Sequence, residues 1–515
     1  MVQYMDNQSG FNQWNRMNAK KPSKISGFWW WMLLFLFAWW IMGTLFKPQN
    51  TEIKEVAPIT IEQSSAEKQN ISNEDISFDV QGLRISNVAL NKHKKDSKSD
   101  EHVALLNAAN NFVEIGYVSS DISVPNINTH WEKKNDELHW NASNVHFTRN
   151  ITTDGYVIKI SDTIKNSSNK EISVAPYAQI TQSTNDKTAS VVETGGVVYA
   201  NSDLDYVGWN KLDKKSVAYS SVNASFGFAE QYWETIASMD VKDQTISLKK
   251  SGDLYFAQTN AGAVKIAPKS ESEINTYVFT GPRQSDVLKA AEKNIPGITK
   301  TMDYGWFWFF AQPMLWMINW LYVLVGNYGI AIILMTLILR ILIWPLTRKS
   351  YVSTMLMQKM QPELQRVQKL YANDKARLQM EMMKVYQTHK TSPMSGCLPM
   401  LIQIPIFFAL YKALLISVPM RSAHFLWISD LAVMDPYFIL PIIMGATMWL
   451  QQYLQTPPQT SNTNDIAAST QRVMKWMPAL FTVLFAWMPA GLVLYWTVSN
   501  VFGILQMYII KKTMK

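Results

Sequence analysis

Residues Tyr328 to Pro345 read YGIAIILMTLILRILIWP, eighteen residues of near-continuous apolar sequence with one full charge inside, Arg340. A run of that length is a transmembrane helix candidate, because roughly 20 apolar residues cross a bilayer's hydrocarbon core. A guanidinium near the middle of such a helix costs roughly 2.5–3.5 kcal/mol, so it marks a functional site unless another reason holds it there. The competing reading is a snorkelling anchor, since Arg340 lies five residues before Pro345, about 7.5 Å along a helix.

The surrounding chain supports a membrane reading. Of 515 residues 48% are hydrophobic, and the mean hydropathy of −0.07 averages over strong segregation. Most polar sequence falls between residues 47 and 300, with the long apolar runs outside it. The net charge of +8 clusters beside those runs, which fits membrane topology better than sequence-specific nucleic acid. The single cysteine, Cys397, excludes an intrachain disulfide.

Residues 1–26 form a polar, basic extension before the uncharged run Gly27–Phe46 (GFWWWMLLFLFAWWIMGTLF). That run is too long for a cleaved signal and reads as a signal anchor with a cytoplasmic N-terminus. Residues 47–76 read as a linker, and 77–300 as an antiparallel β domain of about seven short runs, a sandwich. The clearest signal there is Val157 to Ile180, where alternation, the turn Asn166-Ser-Ser-Asn169 and a second alternating run suggest a hairpin. No metal-spaced cluster or nucleophile motif appears in it. Residues 301–325 hold Trp306, Trp308, Trp316 and Trp320 and are broken at Pro313, as in an interfacial amphipathic helix.

After the Arg340 helix, nine Lys/Arg against three acids between Arg348 and Gly396 place this stretch in the cytoplasm. Its apolar residues fall at helical spacing around the turn Ala372-Asn373-Asp374, predicting a helical hairpin over 348–396. Lys359, Arg366, Lys369, Lys375, Arg377 and Lys384 make it a candidate docking platform, against the simpler reading of a solvated topology signal. Further spans are expected at 398–418, 437–454, 474–488 and 492–510. With 27–46 and 328–345 these give a polytopic α-helical membrane protein of six transmembrane helices, both termini cytoplasmic.

No expected span holds Asp or Glu, and no phosphate-binding or dinucleotide fingerprint occurs. Proton-coupled carriers, ATP-driven pumps and enzymes therefore fit poorly, and no cofactor or metal is expected. What remains around Arg340 is hydroxyl and amide polarity: Thr336 one turn earlier, Gln403, Thr447, Gln451, Tyr495, Ser499, Asn500 and Gln506. Singly each reads as an interhelical hydrogen bond worth about 0.6 kcal/mol; together they suggest a wet cavity. Lys412, about seven residues from the external end, reads as snorkelling. The rival classes are a channel or small-molecule transporter with an external β binding domain, and a ligand sensor.

The stretches Val325–Tyr351, Gln361–Leu414, Met420–Leu431, Asp435–Met448 and Met488–Asn500 together resemble the YidC/Oxa/Alb membrane protein insertases, in the bacterial form with a large periplasmic domain. The resemblance covers residues 303–510 in order, and Tyr277–Leu288 (YVFTGPRQSDVL) resembles the family's exit from the periplasmic domain. It implies a five-helix insertase core and an all-β supersandwich. It further implies insertion and chaperoning of nascent inner-membrane proteins without ATP, alone or beside the Sec translocon, in contact with membrane lipids. The family's groove arginine falls on Arg340 and its substrate-contacting aromatic on Trp496, a tyrosine in some members. The 26-residue extension departs from the family's usual short lead. The tail lacks the long basic extension of some members, leaving any ribosome contact to the 348–396 hairpin.

Overall fold

The computed structural model describes residues 62–95, 100–107, 110–183, 192–389, 391, 398–455 and 466–513. The extension 1–26, the first expected span and Cys397 lie outside the described residues, as do the side chains of Lys375 and Gln455.

The β region is a two-sheet sandwich, one sheet of ten strands and one of nine, with antiparallel pairing throughout. It is richer in strands than its sequence suggests. Short polar strands such as Glu132–Lys134 are fully exposed and show no apolar alternation. The domain also begins earlier than expected: Lys68–Ser72, in the stretch read as linker, pairs with Ile76–Gln81. Phe78, Phe226, Phe228, Phe279 and Ile158 are fully buried between the sheets, each worth about 1.5–3 kcal/mol relative to exposure.

The hairpin expected from Val157 to Ile180 is corrected. Val157–Asn166 and Ile172–Ser183 are both strands, but they lie in different sheets. The first pairs with Val145–Asp154 and Glu271–Pro282, the second with Phe112–Val118 and Leu254–Ala261. Asn166, fully buried, directs the crossing. Its amide donates to the carbonyls of Lys170, Ile266 and Ala267 at 2.7, 3.1 and 3.1 Å, and its carbonyl accepts from the Ser168 backbone N–H at 3.0 Å. A locally satisfied turn gives no sign of which sheet the next strand joins.

The helices, in chain order, are α1 (Trp209–Leu212) and α2 (Ser285–Ala291) in the β region, then α3 (Trp308–Val325), α4 (Tyr328–Leu342), α5 (Trp344–Leu370), α6 (Lys375–Thr388), α7 (Leu398–Ile416), α8 (Ile439–Gln455), α9 (Ile466–Phe485) and α10 (Ala490–Thr513). Gly326, at φ 67°, closes α3, and the Asn327 side chain caps α4 by accepting from the Ile330 N–H. The α4 helix ends at Leu342, short of the expected Pro345. Pro345 opens α5, where its missing N–H costs nothing, and the two helices meet at 67°. The basic hairpin therefore starts at Trp344. As expected, Asp374 caps α6, and Met360, Leu364 and Val385 pack α5 on α6.

By length and apolarity, α3 and α10 suffice to cross a membrane among the described residues, and α4–α5 makes a third candidate if counted as one bent span. Of the other expected spans, 398–418 and 474–488 fall on shorter apolar helical stretches, Leu401–Ile416 and Lys475–Phe485, and 27–46 lies outside the described residues. The α3 helix, expected to be amphipathic, has one buried apolar side and one exposed side rich in aromatics. Ala311, Met314, Ile318 and Leu321 are buried, while Trp308, Phe309, Trp316 and Trp320 are exposed.

The two regions interlock. Val192, from the β region, is buried in the helical cluster, and Val418, which follows α7, is buried in the sandwich cluster. Gln231 donates to the Leu415 carbonyl at 2.9 Å, and Arg421 donates to the Lys94 and Lys95 carbonyls at 3.1 and 2.5 Å.

Candidate functional site

Arg340 lies in the last turn of α4, half-buried. Its Nε donates to Ser499 Oγ on α10 at 2.7 Å, and its Nη2 reaches the same oxygen. No carboxylate pairs with it among the described residues. Residues Thr336, Leu339, Arg340, Ile343, Thr347, Ile402, Gln403 and Tyr495 line a small, half-open recess where α4, α5, α7 and α10 meet. Across it, Gln403 Nε2 donates to the Tyr495 hydroxyl at 2.5 Å. A serine hydroxyl solvates a guanidinium without neutralising it, so the recess keeps a net positive charge.

The eight residues expected at the site divide into three groups. Arg340, Gln403 and Tyr495 meet at the recess, with Ser499 beneath the guanidinium. Thr336 lines it too, but its hydroxyl donates to the Ile332 carbonyl one turn back at 2.6 Å, so its own helix occupies it. Asn500 and Gln451 belong instead to the α8–α10 seam. Asn500 Nδ2 donates to Thr447 Oγ1 at 3.3 Å. Gly503 leaves room there, since a Cβ at that position would sit 3.2 Å from both Gln451 Nε2 and the Tyr351 hydroxyl.

Trp496 points elsewhere. Its ring contacts Phe407, Phe481 and Phe485 at centroid distances of 5.4, 6.0 and 5.1 Å, in an aromatic cluster shared by α7, α9 and α10. Sequence reasoning missed Tyr351, which is 3% exposed and sits beside Arg340 and Gln451. It was counted within the basic hairpin, and its place one turn into the charged stretch hid it. Thr347 and Ile343, which also line the recess, precede that stretch and were not singled out.

Lys412 is also corrected. It does not snorkel to water; it is 11% exposed and paired with Asp303, which follows the β region. On the basic hairpin Lys359, Arg366, Lys369, Arg377 and Lys384 are exposed. Lys384 pairs with Glu381 at 2.7 Å and Arg377 covers Tyr371 at 5.4 Å. Met380 and Met383 stand exposed between them. No cluster able to hold a metal ion exists among the described residues.

Fold and site together define a helical membrane protein with an extramembrane all-β domain and a positively charged polar recess. The 60Kd inner membrane protein family matches residues 320–515, and the YidC periplasmic domain matches residues 71–317. A membrane protein insertase YidC of Rickettsia conorii is 32% identical over 501 residues, 88% of each chain. That of Rickettsia bellii is 32% identical over 516 residues, 90% of this chain and 91% of its own. A solved structure described as an active YidC insertase with its first transmembrane domain resolved is 18% identical, covering 86% of this chain and 94% of that one with a TM-score of 0.37. The chain belongs to the YidC/Oxa/Alb family of membrane protein insertases, in the form that carries a periplasmic domain.

Proposed function

We propose that this protein inserts and folds inner-membrane proteins by receiving a polar, translocated segment of the substrate at the Arg340 recess. The observation that carries this reading is a half-buried arginine with a hydroxyl partner and no carboxylate, facing a half-open recess. An acidic residue of the incoming segment supplies the missing counter-charge, and the attraction grows as the local dielectric falls. Gln403, Tyr495 and Ser499 offer hydrogen bonds to the segment's backbone, while Thr336 keeps the wall of α4 compact. The substrate's apolar helix leaves along the exposed aromatic and aliphatic faces of the neighbouring helices, and partition into lipid drives release without nucleotide hydrolysis. Gln451 and Asn500 brace the α8–α10 wall, and Trp496 presents its aromatic cluster to the departing helix.

In this reading six spans, including Gly27–Phe46, place both termini in the cytoplasm and the β domain in the periplasm. The exposed lysines and arginines of α5 and α6, with Lys375, meet the ribosome or the Sec translocon. Most of the β domain is accessory: deletion of 77–270 spares Asp303 and the recess and leaves insertion largely intact. The channel or transporter reading is not favoured by the relatives.

The test is reconstitution in liposomes, scoring protease protection of a short substrate with an acidic translocated tail. Insertion without ATP, retained by Arg340→Lys and lost by Arg340→Ala, supports the recess as the receiving site. Equal insertion by Arg340→Ala removes that role.

A further inference from the structure

Several charged groups meet where the β region passes into the helices. Arg283, 2% exposed, donates to the carbonyls of Glu230 and Glu193 at 2.7 and 3.3 Å and also to that of Thr301. Glu234, also buried, accepts from Thr301 Oγ1 at 3.0 Å and faces Arg283 Nε at 3.5 Å. Two residues beyond Thr301, Asp303 turns the chain: one carboxylate oxygen accepts from the Gly305 N–H at 2.7 Å, and the other accepts from Lys412 Nζ. Gly305, at φ 69°, runs its backbone along the Lys412 stem, with a Cβ site 3.6 Å from Cγ. Glu193 completes the set. Its carboxyl is held above its ordinary value by burial and then by Asp303, with Lys412 and Arg283 opposing.

Lys412 is the one member of this junction that belongs to a helix lining the recess. It lies on α7 nine residues after Gln403, about 13 Å along the helix, and five after Phe407. A snorkelling lysine holds no fixed place, because its flexible stem follows the water. A lysine paired in a half-dry site holds its helix in one rotation and one height. We infer that Lys412 is a positioning residue, whose pair with Asp303 anchors the external end of α7 and thereby aims Gln403 at Tyr495 across the recess. This inference rests on the insertase reading for its functional consequence but not for its geometry.

The experiment uses the full chain with Cys397→Ala, carrying Gln403→Cys and Tyr495→Cys as a cross-linking pair for a short bifunctional maleimide. The cross-linking background is compared with Lys412→Met, Asp303→Asn and the exchanged pair Asp303→Lys with Lys412→Asp. In parallel, the same four junction backgrounds with Gln403 and Tyr495 intact are assayed for insertion in liposomes.

Lys412→Met is expected to lower cross-linking severalfold and insertion by about tenfold, the scale of one charge-assisted contact. It does so equally for substrates with acidic and neutral tails, because α7 is displaced and Arg340 is untouched. The exchanged pair restores both signals, which a general loss of folding would not allow. Lys412→Arg, scored for detergent-resistant folding, controls for loss of side-chain volume. Unchanged cross-linking in a folded Lys412→Met protein overturns the inference. A parent protein that inserts nothing breaks the insertase reading instead, and the cross-linking arm still reports on the anchor.

Discussion

The β region and the helical region each draw an arginine inward, one buried and one half-buried, and they treat it in opposite ways. Arg149, 3% exposed, sits directly across the strand pair from Asp162 and donates to both carboxylate oxygens, at 2.7 and 2.8 Å. Tyr117 donates to the same carboxylate at 2.7 Å, and the Ile115 carbonyl accepts from the guanidinium at 3.1 Å. Every strong demand of the ion is met within the sandwich. Arg340 has a serine and an open side. A satisfied buried ion is a structural part, whereas a half-satisfied one in a membrane helix keeps its field available for a ligand.

That contrast can be broken most forcefully at Asp162. Asp162→Ala leaves Arg149 buried and unpaired, and unfolding of the β region in urea should lose about 3–5 kcal/mol. A loss under 1 kcal/mol would show that water reaches the pair and that the two arginines are more alike than described. Arg340→Ala should do the reverse, leaving the melting profile nearly unchanged while insertion of acidic-tailed substrates falls by about tenfold or more, equivalent to ~1.4 kcal/mol. A large drop in stability would make Arg340 a structural ion after all.

Ser499→Ala sharpens the comparison further. Removing the hydroxyl should cost about 1 kcal/mol, a few-fold in insertion, with the greatest effect on acidic tails because the guanidinium loses its fixed aim. Ser499→Thr should recover most of it.

A further test concerns pH. Burial raises the Glu234 carboxyl from 4.5 to about 7, with Arg283 and Thr301 opposing. The folded protein thus binds this proton more tightly than the unfolded chain. Its contribution to stability is full below 4.5 and is lost as pH rises through about 7. Glu234→Gln should flatten that slope in thermal melts taken across this window, and an unaltered slope would assign it to another group.

What could be read from the sequence follows how local each signal is. Charge inside an apolar run, as at Arg340, is visible residue by residue, and so is the turn that ends in the Asp374 cap. The two-sheet path was not visible, because Asn166 makes the same kind of turn whether the next strand pairs with the last or crosses the sandwich. Lys412 was misread for a related reason: Asp303 stands 109 residues earlier, and no window along the chain contains both. Tyr351 was hidden by the 67° bend between α4 and α5, which turns a residue counted as cytoplasmic back toward Arg340. The direction of Trp496 was not legible either, since α10 buries residues around much of its circumference and offers no clear stripe.

The exchange of Val192 and Val418 between the two clusters has a consequence for how the molecule is made. Val192 emerges from the ribosome long before α7, and the pocket that covers it is built from helices synthesised later. The sandwich in turn receives Val418 only once α7 has been made. The last step of assembly is therefore a mutual closure. An insertion factor is completed by the membrane integration of its own later helices, and a chain stopped before Val418 should remain open to protease at both seams.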